Sequence, residues 1–479
     1  MAVGIKMRKT KIICTIGPSV DNDDKIRELI VNGMDAARLN FSHGLHSEHI
    51  ERIDRVRKIS SELNKNVAII LDTKGPEIRL CVFENKSVLL TKGQKFTLYK
   101  DPLVIGNENG VGITYPYLGE DIEVGATILI DDGNLRMTVS SVKDGNIECI
   151  VENDGKISDR KSINIPGIDI DQSYISEDDR KDLLIGIGMN VDFIAASFVR
   201  KADDVIKLRR FLAINGGDDI RIIAKIENSK GLMNIDSIID VSDGIMIARG
   251  DMGVEMPFEK LPTLQKMVIH KCLEKGKTVI TATQMLDSMQ SNPRPTRAEA
   301  SDVANAIYDG TSALMLSGET AAGKYPIEAL KAMVTIAEYT ESQITYRERF
   351  EMLSRCFSKD IDNAISSAAV EASFLLDAKA IVICTMSGKS ARLTSHYHPE
   401  TPIAAICTDE KSARQLSLEY GVIPIKSDFA ISSLELHDRA IDKVKEHNIA
   451  LPGDLVVLEI GSTHLDNKDS SYMVIERLK

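Results

Sequence analysis

Short apolar, β-branched runs recur along the chain, each ending in polar or Gly-containing residues, and eight of them share one pattern. They are KIICTIG (Lys11 to Gly17), MDAARLNFSH (Met34 to His43), VAIILDTKG (Val67 to Gly75), VDFIAASFVR (Val191 to Arg200), RIIAKIEN (Arg221 to Asn228), DGIMIARGDMG (Asp243 to Gly253), KTVITATQM (Lys277 to Met285) and TSALMLSGET (Thr311 to Thr320). The pattern predicts an α/β fold built on a (β/α)8 TIM barrel. In such a barrel the C-terminal strand ends and the loops after them build the active site. RLNFSH, LDTKG, AKIEN, ARGD, TATQ and LSGE are therefore expected to converge at one mouth.

The rhythm breaks between Gly75 and Val191, where roughly a hundred residues exceed any ordinary barrel loop. This stretch holds short alternating strands, with Asp132-Gly133 and Asp144-Gly145 as hairpin turns, and predicts an inserted small β-barrel lid domain. Pro and Gly lie close together at its entry (Lys74 to Arg79) and exit (Ile163 to Gly167), as in hinges. After Pro326 come helices and a second strand series, AKAIVICT, PIAAICT, GVIPI and DLVVLEI, which predict a C-terminal α/β domain. The expected division is barrel 1–74, lid 75–170, barrel again 171–345 and C-terminal regulatory domain 346–479.

A chain of 479 residues, 43% hydrophobic and 27% charged, has the composition of a folded enzyme of two or three domains. No apolar run approaches the roughly 20 residues a membrane helix requires, and no signal-peptide apolar region precedes the first strand. A cytoplasmic location is expected, with no membrane partner. The seven cysteines are scattered without metal spacing and read as reduced packing residues. A net charge of −12 disfavours general nucleic-acid binding while leaving room for a local phosphate pocket.

The predicted strand ends carry the candidate chemistry. Lys225 and Glu227 lie two apart and share a strand face, with Asp251 after the next strand at equivalent height. Two carboxylates so placed hold Mg²⁺ when substrate oxygens complete the octahedron, and the lysine faces a phosphoryl or carboxylate group; the alternative is a structural Lys225–Glu227 ion pair. Gly250 suggests close backbone approach to a ligand. Arg38, Asn40 and Ser42 share one face, and an inward arginine needs an anion. Asn40, Ser42, Asp72 and Thr73 together suit a monovalent cation. His43 reads either as a ligand contact or as a loop histidine. Thr283, Ser317 and Glu319 form a candidate proton relay, or else cap their strand ends. In the C-terminal domain, TMSGKSARL (Thr385 to Leu393) is a turn entering a helix, either a phosphate site or an ordinary βα turn.

ARLNFSHG, LDTKGPEIR, AKIEN, ARGDMGVE, TATQMLDSM, PTRAEASDVANAIYDG and LSGETAAGKYP, in this order and spanning the chain, resemble the pyruvate kinase family. The resemblance implies phosphoryl transfer from phosphoenolpyruvate to ADP, giving ATP and pyruvate, as the last step of glycolysis. It implies Lys225 as the group stabilising the phosphoryl in transit, Glu227 and Asp251 as ligands of Mg²⁺ (or Mn²⁺), and Gly250, Asp251 and Thr283 as the substrate-carboxylate site. It further implies Arg38, His43, Arg79 and Lys161 around the nucleotide phosphates, and Asn40, Ser42, Asp72 and Thr73 around K⁺. Glu77 stands where potassium-dependent members carry Glu and potassium-independent ones usually carry lysine, so K⁺ dependence is expected. Thr385, Ser387, Lys389, Ser390 and Arg392 fall where the family binds phosphorylated effectors, and the family is usually a homotetramer. Nothing follows VIERLK at Lys479, where some relatives carry an extra phosphotransfer-like domain, so the short form is expected.

Two rivals remain in view. An oxo-acid lyase barrel would share the metal carboxylates but need neither a lid nor the lid cations Arg79 and Lys161. A non-catalytic effector binder would have no use for a buried lysine beside two acids.

Overall fold

The computed structural model describes residues 8–168, 172–357, 360–428, 433–460 and 472–479. Strands Lys11–Thr15, Ala36–Asn40, Ala68–Asp72, Phe193–Ala196, Arg221–Ile226, Gly244–Ala248, Thr278–Ala282 and Ala313–Leu316 form a closed parallel barrel, one from each of the eight runs. The eighth strand pairs with the first, Leu314 opposite Ile12, so that no sheet edge remains.

Alternation along each strand divides its side chains between two cores. Ile13, Ile70, Phe193, Ile223, Met246, Ile280 and Met315 fill the barrel interior. Their neighbours Ile12, Ile69, Ile194, Ile222, Ile245, Val279 and Leu314 pack in the larger core with the surrounding helices. Because Ile223 points inward, period two sends Lys225 inward as well, one layer nearer the mouth. The fold thus forces a lysine into the barrel.

The chain leaves the barrel after Asp72 and forms a separate seven-stranded sheet. In spatial order its strands are Ile78–Arg79, Ser162–Asn164, Thr127–Ile130, Leu135–Lys143, Asn146–Val151, Lys95–Tyr99 and Gly110–Gly112. This unit has its own core, including Phe96, Leu98, Ile128, Met137 and Ile147. Both Asp-Gly pairs form the expected turns: Asp132 and Gly133 have φ of 54° and 83°, Asp144 and Gly145 of 52° and 81°, the left-handed geometry that tight hairpins require. The entering strand pairs with the leaving one, Arg79 opposite Ser162, so both connections to the barrel run side by side. The expected lid boundary at 170/171 lies outside the described residues.

The C-terminal sheet orders its strands Val422–Lys426, Ile403–Cys407, Ala380–Thr385, Leu455–Ile460 and Tyr472–Arg477, the last antiparallel. It docks on the N-terminal end of the barrel. Leu418 joins the interior barrel core, Lys11 Nζ donates to Val422 O at 2.7 Å, and Thr278 Oγ1 donates to Glu419 Oε2 at 2.7 Å. The strand C-terminal ends, with Lys225, lie at the opposite mouth. Among the described residues no helix is long and apolar enough to cross a membrane, and all seven cysteines are free thiols.

Candidate active site

Lys225 stands at the centre of the mouth. Its Nζ lies 3.0 Å from Asp72 Oδ1, 2.9 Å from Glu227 Oε1 and 2.7 Å from Ser197 Oγ. Burial opposes the ammonium, but Asp72 and Glu227 outweigh burial and raise its pKa, so the lysine stays charged. Asp72 is shared: its Oδ2 accepts from Arg38 Nε at 2.6 Å, and the two cations overcome burial to hold its carboxyl below the usual range. Arg38 Nη1 also donates to Thr15 Oγ1 at 3.0 Å. Lys225 and Arg38 thus converge on one buried carboxylate, and Lys225 is shared with a second, Glu227.

Glu227 and Asp251 behave differently. Burial pushes the Glu227 carboxyl up to about 7, with Asp251 adding to the rise and Lys225 opposing it. Burial likewise raises Asp251, Lys225 again opposing and Asp132 of the inserted domain reinforcing. Two buried carboxyls whose ionisation burial disfavours fit a divalent cation, which would relieve both. Among the described residues no three His, Cys, Asp or Glu side chains gather as a metal cluster. A cation here would therefore take its remaining ligands from substrate and water. Asn40 and Asp72 are cross-strand neighbours, Asn40 Oδ1 accepts from Ser42 N at 3.1 Å, and Thr73 O accepts from Ser197 Oγ at 2.7 Å. This group of uncharged oxygens around one carboxylate suits a monovalent cation.

Gly250 is the second residue of the short helix Arg249–Glu255, and its N–H donates to Thr283 Oγ1 at 2.7 Å. That bond ties the sixth strand's end to the seventh's. The other two candidate relay residues lie on the eighth strand's end. Glu319 is buried, and its two oxygens accept the backbone N–H groups of Leu286 (3.0 Å) and Ser317 (2.7 Å). It anchors loops, and no hydrogen bond among the described residues joins it to Thr283. Ser317 Oγ is buried without a hydrogen-bond partner among the described residues.

The expected nucleotide contacts are engaged with carboxylates of their own. Arg79 Nη2 lies 2.7 Å from Glu77 Oε2 and its Nη1 donates to Arg160 O at 2.8 Å, while Lys161 Nζ sits 2.7 Å from Asp131 Oδ1. Burial raises the Glu77 carboxyl against the pull of Arg79. His43 is exposed at the rim, and burial with Arg79, Arg38 and Lys74 disfavours its protonation. Three cations around one imidazole make this side of the mouth attractive to anions.

In the C-terminal domain the turn before helix Lys389–His396 is built as a cradle. Gly388 has φ of 76°, and a Cβ there would lie 2.6 Å from Arg392 Nη1. Gly388 N donates to Thr385 Oγ1 at 3.0 Å, and Arg392 folds beneath the turn to donate to Ser387 O at 2.9 Å. Lys389 Nζ pairs with Asp362 Oδ2 at 2.6 Å, and Ser390 follows it in the helix's first turn.

Sequence reasoning missed three residues. Ser197, on the fourth strand's end, bridges Lys225, Asp72 and Thr73, yet that run was not among the six polar clusters. Thr15 of the first strand was passed over for the same reason. Arg249 sits inside ARGD but was overshadowed by Gly250 and Asp251. A uniform rule, that every inward position at a strand end belongs to the mouth, would have found the first two.

A barrel with an inserted β domain, a buried lysine flanked by two acids and a cationic rim defines a phosphotransferase of the phosphoryl-handling barrel class. Residues 7–330 match the family described as pyruvate kinase, barrel domain, and residues 363–475 match pyruvate kinase, alpha/beta domain. The chain belongs to the pyruvate kinase family. It is 47% identical over 455 residues to a pyruvate kinase of Clostridium acetobutylicum (95% of this chain, 96% of that one). Against a pyruvate kinase of Clostridium perfringens it is 45% identical over 479 residues (98% and 100%). Against that of Geobacillus stearothermophilus it is 46% identical over 467 residues (96% and 79%). The crystal structure of a pyruvate kinase from Cryptosporidium parvum superposes with a TM-score of 0.92 at 38% identity, covering 99% of this chain and 97% of that one.

Proposed function

We propose that this enzyme transfers the phosphoryl group of phosphoenolpyruvate to ADP and protonates the resulting enolate to pyruvate, with Mg²⁺ (or Mn²⁺) and K⁺ as cofactors. The bond from phosphorus to the enol oxygen breaks, the bond to the ADP terminal phosphate oxygen forms, and a proton from solvent ends on the methylene carbon. The observation that carries this reading is Lys225, an ammonium kept charged at the barrel mouth by Asp72 and Glu227. Phosphoryl transfer asks for positioning and neutralisation of the equatorial oxygens more than for covalent work, and Lys225 and Arg38 supply that charge.

Gly250, Asp251 and Thr283 would hold the substrate carboxylate, and Thr283 with water would deliver the proton, since a threonine hydroxyl is no ultimate acid. Divalent metal held by Glu227 and Asp251 would supply further charge neutralisation at the phosphoryl oxygens. Arg79 and Lys161, at the two lid junctions, would exchange Glu77 and Asp131 for nucleotide phosphates as the lid closes over ADP and excludes water. Relaxation of the freed enol to the ketone drives the step toward ATP. The five buried thiols among seven suit a reducing compartment, the cytoplasm. Exposed Val474 and Ile475 on the edge strand Tyr472–Arg477 support self-association, here read as a homotetramer.

Glu77 supports K⁺ dependence because its carboxylate stands where a lysine would otherwise bring permanent positive charge. ATP formation measured with Mg²⁺ in K⁺ and in Na⁺ tests this: wild type should need K⁺, and Glu77→Lys should work about equally in both. Equal activity of the wild type in Na⁺ would refute the monovalent-cation reading.

A further inference from the structure

Thr283 and Gln284 follow the seventh barrel strand with φ of 67° and 54°. Two successive non-glycine residues in the left-handed region, the first β-branched, persist only where their surroundings over-determine them. One side chain supplies much of that constraint. Arg249 Nη2 donates to Thr283 O at 2.8 Å and to Gln284 O at 3.3 Å, and its Nε reaches Thr283 O at 3.3 Å. Its Nη1 is held 2.7 Å from Asp302 Oδ2, on helix Arg297–Asp309, and 3.3 Å from Gln265 Oε1. On the other side of the same residue, Gly250 N meets Thr283 Oγ1 at 2.7 Å.

The guanidinium therefore grips the strained backbone while the hydroxyl accepts from Gly250 N and donates to Ala282 O at 2.6 Å. Arg249 follows the sixth strand and immediately precedes Gly250 and Asp251, so one residue couples the sixth-strand helix to the seventh-strand loop. A planar fork is needed for this: an ammonium cannot address two carbonyls and a carboxylate in fixed directions at once.

We propose that Arg249, oriented by Asp302, is a positioning residue for enolate protonation, holding Thr283 in the conformation that faces its hydroxyl to the Gly250–Asp251 site. Arg249 touches no substrate in this account and acts through Thr283. The inference rests on the reading of Thr283 as the group that delivers the proton.

The test follows exchange of the pyruvate methyl hydrogens with deuterated solvent by NMR, with Mg²⁺, K⁺ and ATP present, beside the KM for ADP and the thermal midpoint. A displacement of the hydroxyl by about 1 Å should slow exchange about a hundredfold in Arg249→Lys. Asp302→Asn should slow it by a smaller factor, with the KM for ADP and the midpoint nearly unchanged in both. Added guanidinium ion should restore part of the exchange in Arg249→Ala. Near-normal exchange in Arg249→Lys while Thr283→Ala has lost it would overturn the proposal. Loss of exchange in step with ADP affinity and thermal stability would overturn it too, since that is damage to the fold. Normal exchange in Thr283→Ala would instead sink the reading of Thr283 itself.

Discussion

Burial sets the charge state of each ionisable group here according to what stands beside it. Lys225 and Asp72 are both buried and both charged, because each has opposite charge within 3.0 Å. Glu459 shows the opposite case in the C-terminal domain. It lies near the end of the strand Leu455–Ile460, is 1% exposed, and accepts from Thr394 Oγ1 at 3.3 Å. Burial pushes its carboxyl up to about 7 from an ordinary 4.5. A carboxyl whose pKa is raised on folding contributes stability that is fully present below about 4.5 and lost as pH rises through about 7. Glu459→Gln, which cannot ionise, should therefore be more stable than wild type at pH 8, by about 3 kcal/mol if the whole shift is realised. The advantage should vanish below pH 4.5. Denaturant midpoints across this range measure it, and a variant no more stable than wild type at pH 8 would show that the native site tolerates the charge.

Secondary-structure elements were the most legible level in the sequence. The barrel strands, the lid hairpins and the C-terminal strand series each carry apolar runs or turn residues that act locally. Contacts between elements were less legible. Ser197 reaches Lys225 because the fourth strand pairs Ala195 with Asp72 and Ala196 with Ala224 across two ladders, a register that no local pattern encodes. Arg249 clamps a loop some 35 positions downstream, and the Glu319 oxygens accept from the backbone of two loops. The strand–turn–helix at Thr385–His396 shows what remains at this scale. Its left-handed Gly388 and the Lys389–Asp362 pair form a shape and a displaceable cation, and a phosphate would compete with Asp362 for the ammonium. Lys389→Ala should abolish any activation by a panel of sugar phosphates and nucleotides. A variant that still responds to the compound activating wild type would rule out the turn as the effector site.

Across the whole molecule, three units divide the work by position. The barrel presents Lys225, Glu227 and Asp251 at one end, the inserted domain brings Arg79 and Lys161 to that end, and the C-terminal domain closes the other through Leu418, Lys11 and Glu419. Arg392, beneath the C-terminal turn, is half-buried, and its guanidinium pKa is lowered to about 10 by burial and then by Arg221, the first residue of the strand that carries Lys225. That strand links the two ends of the molecule.

All of this depends on Lys225 serving the transferring phosphoryl group. The most direct measurement is steady-state ATP formation from phosphoenolpyruvate and ADP, with Mg²⁺ and K⁺, in wild type and in Lys225→Met. The wild type should form ATP and pyruvate in equal amounts. The variant should keep its fold by circular dichroism and lose about a thousandfold or more in kcat, the scale expected when a preorganised charge is removed from a developing anion. A folded Lys225→Met enzyme with kcat near that of wild type would contradict the account.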